Sequence, residues 1–179
     1  MKEYFFEGNK YYFTGKKWVD SSFLEVPTEL LGKLNQLLRE EIDFNHMSDR
    51  ELLDFAGRIK DGENYQLAIK AMELLLERAN LDIVRQILPR LTSSYRKIGK
   101  VEKALNLGEH YISVYAGQVK SPYLLTSMAA ACCDLGDYSK ARKYANQARA
   151  ISGKEASMEL INVYARIKKY DGGATTKKT

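Results

Sequence analysis

Residues 125–148 read LTSMAAACCDLGDYSKARKYANQA, and the fold is decided there. Leu125, Met128, Ala129 and Cys132 recur at three- and four-residue spacing, which sets them on one face of a helix. Gly136 then breaks the pattern, and glycine just past the last periodic residue is a helix stop. A second helical pattern follows, with the small residues Ala141, Ala145 and Ala148 along its inner face. A short turn between two helices makes a hairpin, and a hairpin cannot bury both its faces alone.

The same pattern occurs on either side of this stretch. Leu52-x-x-Phe55-Ala56-x-x-Ile59 and Leu88-x-x-Leu91-Thr92-x-x-Tyr95 align with Leu125-x-x-Met128-Ala129-x-x-Cys132, and Ile161-x-x-Tyr164-Ala165 begins a fourth copy. The small residues Ala56, Thr92, Ala129 and Ala165 therefore recur every 36 to 37 positions. Ala68, Ala104 and Ala141, in the second helix of each unit, keep the same interval independently. Two features sharing one period mark a repeat array, whose small residues sit where helices cross closely.

Start and stop signals divide the rest into about eight helices with short connections. Ser48-x-x-Glu51 and Ser152-x-x-Glu155 read as capping boxes, Asn80 as the cap of the helix carrying Ile83, Val84, Ile87 and Leu88, and Ser121-Pro122 as a cap with proline in the first turn. Stops are expected at Gly62, Gly99, Gly136 and Gly172. Pro89 falls inside a helical pattern, so a kink is expected there unless the helix begins nearer to it.

Residues 1–26 have a different texture. Glu3-Tyr4-Phe5-Phe6, Lys10-Tyr11-Tyr12-Phe13 and Lys17-Trp18-Val19 are strand-favouring runs separated by Gly8-Asn9 and Gly15-Lys16. A small β-hairpin or meander is expected, its aromatic residues either packed on the helices or left as an interaction edge. Residues 27–170 then form the helical repeat domain, opened by a helix with Leu30, Leu31, Leu34, Leu37 and Leu38 on one face, and residues 171–179 a flexible tail.

These residues resemble the tetratricopeptide repeat family. The likeness runs over about two-thirds of the chain, from Ser48 to Tyr170, and is fullest where Met128-Ala129, Gly136-Asp137-Tyr138, Ala141, Ala145 and Ala148 meet the family's signature. It implies a mainly α fold: a right-handed array of helical hairpins, about three units plus capping helices, with the β meander appended. The period exceeds the family's 34 residues, so a longer-period α-solenoid relative stays open beside it. The resemblance further implies that each unit's first helix lines a concave groove for peptides. That groove would hold Arg50 and Lys60 from the first unit, Gln86, Arg90, Arg96 and Lys97 from the second, and Tyr123 and Thr126 from the third. The family's carboxylate-clamp set of lysine, asparagine and arginine is not matched.

Charge and chemistry narrow the function classes. The net charge is +5. Residues 29–54 carry seven acids against three bases, and residues 81–104 six bases against two acids. Such asymmetry points to an acidic partner or to head-to-tail self-association. His46 and His110 have no catalytic context, Ser93-Ser94 lies on no nucleophile elbow, and no phosphate-cradling loop or metal-ligand spacing occurs, so neither an enzyme nor a cofactor is expected. Cys132 and Cys133 read as small core residues, and free thiols without a secretory pattern lead us to expect a cytoplasmic protein. The expected role is a non-enzymatic protein-binding module or scaffold, with nucleic-acid binding through the basic stripe and the aromatic hairpin as the rival.

Overall fold

The structure, a computed structural model, describes residues 1–61, 64–78, 80–153 and 156–175, with every side chain among them except those of residues 39–40 and 172–175. The protein is mainly helical, with a small three-stranded antiparallel sheet at its N-terminus. It divides into two compact units, Met1–Ala79 and Asn80–Thr179.

The first unit opens with the meander β1 (Lys2–Phe6), β2 (Asn9–Phe13) and β3 (Trp18–Asp20), paired in that order. Phe6 pairs with Asn9, leaving Glu7-Gly8 as a two-residue loop. Both residues have positive φ, 50° and 79°, as a type I′ hairpin turn requires. Alternation then puts Tyr4, Tyr11, Phe13 and Trp18 on one face, where Tyr11, Phe13 and Trp18 are buried. The Trp18 ring meets Tyr4 edge-on at 4.8 Å, and its Nε1 donates to Asn35 Oδ1 at 2.8 Å. Asn64 Nδ2 donates to the same oxygen at 2.5 Å, so the sheet is keyed to the helices of its own unit by a shared amide. On the other face Phe5 is exposed and Val19, opposite Tyr12, is buried; beyond β3, Phe23 and Leu24 are exposed, and Phe23, at φ 60°, stacks on Tyr12.

Three helices complete this unit: α1 (Thr28–Glu41), α2 (Asp49–Asp61) and α3 (Tyr65–Arg78). The Ser48 capping box forms as expected, the Ser48 N–H donating to Glu51 Oε2 at 2.8 Å and the Glu51 N–H to Ser48 Oγ at 3.3 Å. α2 and α3 pack as a hairpin, burying Leu52, Phe55, Ala56 and Ile59 against Leu67, Ala68, Ala71, Met72 and Leu75. Gly62, read as a stop, lies outside the described residues.

The second unit holds α4 (Leu81–Lys97), α5 (Val101–Val114), α6 (Pro122–Asp134), α7 (Tyr138–Ser152) and α8 (Met158–Thr175). α4 packs with α5 and α6 with α7, and α6 also touches α4, α5 and α8. With neighbours on every side, α6 is buried from Leu124 to Cys133 without a break. The small residues in that run let four helices approach it. Where α5 crosses α6, a Cβ on Gly108 would stand 2.7 Å from Met128 Sδ, so the crossing admits no side chain without displacing Met128. Ala104, Ala129, Ala141, Ala145 and Ala148 are fully buried. Asn80 Oδ1 caps α4, Ser121 Oγ caps α6, and Gly99 and Gly136 take positive φ just beyond α4 and α6.

Four expectations change. α4 begins at Leu81 and runs through Pro89, so the helix does not start nearer the proline, and Pro89 forfeits the bond to the Arg85 carbonyl. Ser152 ends α7 instead of starting a helix, and α8 is capped by Ser157, whose Oγ accepts from the Leu160 N–H at 3.2 Å. Glu155, the other half of the expected box, is outside the described residues. Gly172 is no stop, since α8 runs to Thr175. The fourth copy of the pattern is displaced by one residue: Ile161 is half exposed and Ala165 exposed, while Leu160, Val163 and Ile167 form the buried stripe. No helix among the described residues is long and apolar enough to cross a membrane.

Thr92 occupies the small-residue position of α4, fully buried, with an Oγ1 that has no hydrogen-bond partner among the described residues. Replacing it with valine removes an unsatisfied hydroxyl at nearly constant volume, and chemical denaturation should show stability unchanged or raised by up to about 1 kcal/mol. Ala129→Leu or Ala141→Leu at the α6–α7 crossing should instead cost about 1–3 kcal/mol through overpacking. Unchanged unfolding curves for both alanine variants would refute the packing described here.

Candidate functional site

Charge is divided unequally between the two units. Residues 1–79 carry eleven Lys and Arg against fifteen Asp and Glu, whereas residues 80–179 carry seventeen against eight. The candidate surface is therefore the basic unit, and within it the side of α4 turned away from its buried stripe. Val84, Ile87, Leu88, Leu91 and Tyr95 fix that stripe, and a 3.6-residue turn puts Gln86, Arg90, Ser93 and Lys97 opposite. Gln86, Arg90 and Lys97 are exposed, and neither Arg90 nor Lys97 makes an ion pair among the described residues.

Arg96 differs from its neighbours. Its side chain is only 15% exposed, with Nε 2.9 Å from Asp134 Oδ2 on α6 and Nη1 2.7 Å from Glu159 Oε1 on α8. Arg166 of α8 takes the other Asp134 oxygen at 2.8 Å. Arg96 thus ties α4 to α6 and α8 and is not available to a partner. Thr126 is likewise withdrawn, at 2% exposed, whereas Tyr123 one turn earlier is 70% exposed. Of the candidates in the first unit, Arg50 is exposed and Lys60 half-buried, both on α2.

Two clusters escaped the sequence reading because their members are far apart in the chain. Between α5 and α7, Glu109 accepts from the Tyr144 hydroxyl at 2.5 Å and faces Lys140 Nζ at 2.6 Å. Burial pushes the Glu109 carboxyl up, but its hydrogen bonds to Lys140 and Tyr144 outweigh that and hold it below the usual carboxylate range. A cavity of about 250 Å³ beside them is lined by Ile112, Ser113, Lys120, Lys143 and Gln147. A second cavity, of about 300 Å³, lies where α6 and α8 begin, lined by Pro122, Tyr123, Thr126, Ser152, Ser157 and Leu160.

The thiols and imidazoles are not gathered into a site. Cys132 and Cys133 are buried and free, and burial pushes the Cys132 thiol up to about 12. His46 is exposed, with Nδ1 2.6 Å from Asp43, and His110 is exposed beside the Tyr111 ring. Among the described residues no three His, Cys, Asp or Glu side chains are placed to hold a metal.

The Arg96 pairs lie between the surface and buried cases. Arg96→Ala should therefore cost about 1–2 kcal/mol, read by denaturation. Glu109 has a depressed pKa in the folded state, so its contribution is complete above the ordinary carboxylate pKa and is lost as pH falls through the depressed value. Stability measured from neutral to acid pH should thus fall less steeply for Glu109→Gln than for the wild type. Parallel curves would show that this cluster is not linked to folding.

No protein-family model matches the chain and no curated protein matches it, so what bears on its function is the arrangement of its own residues.

Proposed function

We propose that this chain is a tetratricopeptide-like helical-repeat protein that binds an acidic segment of another protein and catalyses no reaction. The repeat is supported by burial at matching positions. Leu52, Phe55, Ala56 and Ile59 are buried, as are Leu88, Leu91, Thr92 and Tyr95, and Leu125, Met128, Ala129 and Cys132. Ala68, Ala104 and Ala141 of the following helices are fully buried at their own 36- to 37-residue spacing. In such an array the first helices of successive hairpins form the binding face, which here puts α4 beside α6.

The observation that carries the partner's chemistry is the pair Arg90 and Lys97. They stand two helical turns apart, about 10 Å, on one exposed face of α4. Lys97 gains a little from the helix C-terminus, but Arg90, in mid-helix, has no such reason to be there. Like charges at this separation repel weakly in water and are better matched by an acidic partner. Nucleic acid would meet the same charge through its phosphates, and the rival reading rests on that excess.

The test measures binding of an acetylated, amidated octapeptide of alternating glutamate and serine to the wild type and to Arg90→Glu/Lys97→Glu. Both residues are exposed, so the double variant should keep its circular dichroism spectrum and melting curve. Its affinity for the peptide should fall at least about tenfold, with wild-type binding weakening as salt rises. A folded double variant that binds as well as wild type would place the binding surface elsewhere. Tight, selective retention of duplex DNA or single-stranded RNA at about 0.15 M salt would favour the rival instead.

A further inference from the structure

α2 and α4 carry opposite charges at the same places on the same frame. Each helix is oriented by a buried stripe, Leu52, Phe55, Ala56 and Ile59 in α2 and Leu88, Leu91, Thr92 and Tyr95 in α4, 36 residues further on. Opposite its stripe, α2 shows Asp54 and Asp61 where α4 shows Arg90 and Lys97, again 36 residues further on. Both acids are exposed, and neither makes an ion pair among the described residues, as is true of the two bases.

The spacing matches as well as the sign. Asp54 and Asp61 stand two helical turns apart, about 10 Å, which is the separation of Arg90 and Lys97. Like charges so placed gain nothing from each other, and Asp61, at the C-terminal end of α2, is further disfavoured by the helix dipole. Arg50 lies on the same outer face of α2 and Arg58 on its flank, and neither pairs with an acid among the described residues. Arg50 does not spoil the match. Laying Asp54 at Arg90 and Asp61 at Lys97 puts Arg50 at Gln86, and the reverse direction carries it past the last residue of α4.

We propose that the outer face of α4 in one molecule receives the outer face of α2 from a second copy, Arg90 and Lys97 pairing with Asp54 and Asp61. The acidic excess of residues 1–79 and the basic excess of residues 80–179 steer two copies into this arrangement. Made twice, the pairing closes a two-fold dimer; made once, it continues head to tail, and the mass reached separates the two. Exposed ion pairs are individually weak, so the association is one of low salt and high protein concentration. The inference rests on the acidic-partner reading above and names the partner.

The test is sedimentation of the full chain over a range of concentrations at about 0.02 M and about 0.3 M salt. The wild-type sedimentation coefficient should rise with concentration at the lower salt and not at the higher. Arg90→Glu/Lys97→Glu has two acidic faces and Asp54→Lys/Asp61→Lys two basic ones. Each alone should associate at least about tenfold more weakly than wild type, and their equimolar mixture should associate again. All four residues are exposed, so both variants should keep the wild-type melting curve, and the neutral Asp54→Asn/Asp61→Asn should show the same loss in milder form. Excess glutamate–serine octapeptide should disperse the wild-type assembly. A wild type that stays monomeric at the lower salt, variants that associate as it does, or a mixture that stays apart overturns the pairing. Octapeptide binding that Arg90→Glu/Lys97→Glu abolishes would then leave the acidic-partner reading standing. An assembly that follows the charge swaps but ignores the octapeptide supports the second copy as partner and refutes that reading for acidic peptides at large.

Discussion

The burial of α6 on every side is the constraint on which the second unit depends. A helix packed against four others offers no solvated face, so each residue from Leu124 to Cys133 must be apolar or small enough to fit beside a neighbour. Leucines and Met128 fill the wider spaces, and alanines and cysteines occupy the close crossings. The two cysteines are thus used for their size, and their burial disfavours the reactive thiolate. Gly108 on α5 and Ala141 on α7 are the partners' side of the same requirement. The acid at the end of α6 follows from it too. Asp134 sits at a helix C-terminus, where a negative charge is disfavoured, and Arg96 and Arg166 offset it while tying α4 and α8 to the central helix.

Features written within one turn of the chain were legible in the sequence. The Ser48 box, the Asn80 and Ser121 caps, the Gly99 and Gly136 stops and the glycine turn of the meander all act over a few residues. Errors arose where a local signal competed with packing. Ser152 and Glu155 have the spacing of a box, but Ser157 caps α8 without an acid three residues later, so the pattern pointed to the wrong serine. In α8 the Ile161 and Ala165 register looked as good as the true one because the helix is apolar on more than one side. Only contact with α6 and α7 selects Leu160, Val163 and Ile167.

The candidate surface was legible in kind but not in membership. Clustered bases in residues 81–104 were visible, yet Arg96 could not be separated from Arg90 and Lys97, because its partners lie 38 and 63 residues away. Thr126 was placed on an open face by its helical position, and the closeness of α4 and α8 to α6 withdraws it.

Charge asymmetry means different things in the two units. In the first, the lysines of the sheet region meet acids of the same unit: Lys2 with Glu41, Lys10 with Glu3, Lys17 with Glu25 and Lys33 with Glu7. The acidic excess there is spread over what remains. In the second unit four acids fix helices to one another, Asp134 and Glu159 through Arg96, Glu109 through Lys140 and Tyr144, Asp171 through Arg142. Acids committed to packing cannot also screen the outer faces. The same pairs neutralise Arg96, Arg166, Lys140 and Arg142, so the unit's excess positive charge rests on the bases left over, Arg90 and Lys97 among them. A positive field of this kind speeds encounter with acidic chains but does not set their register.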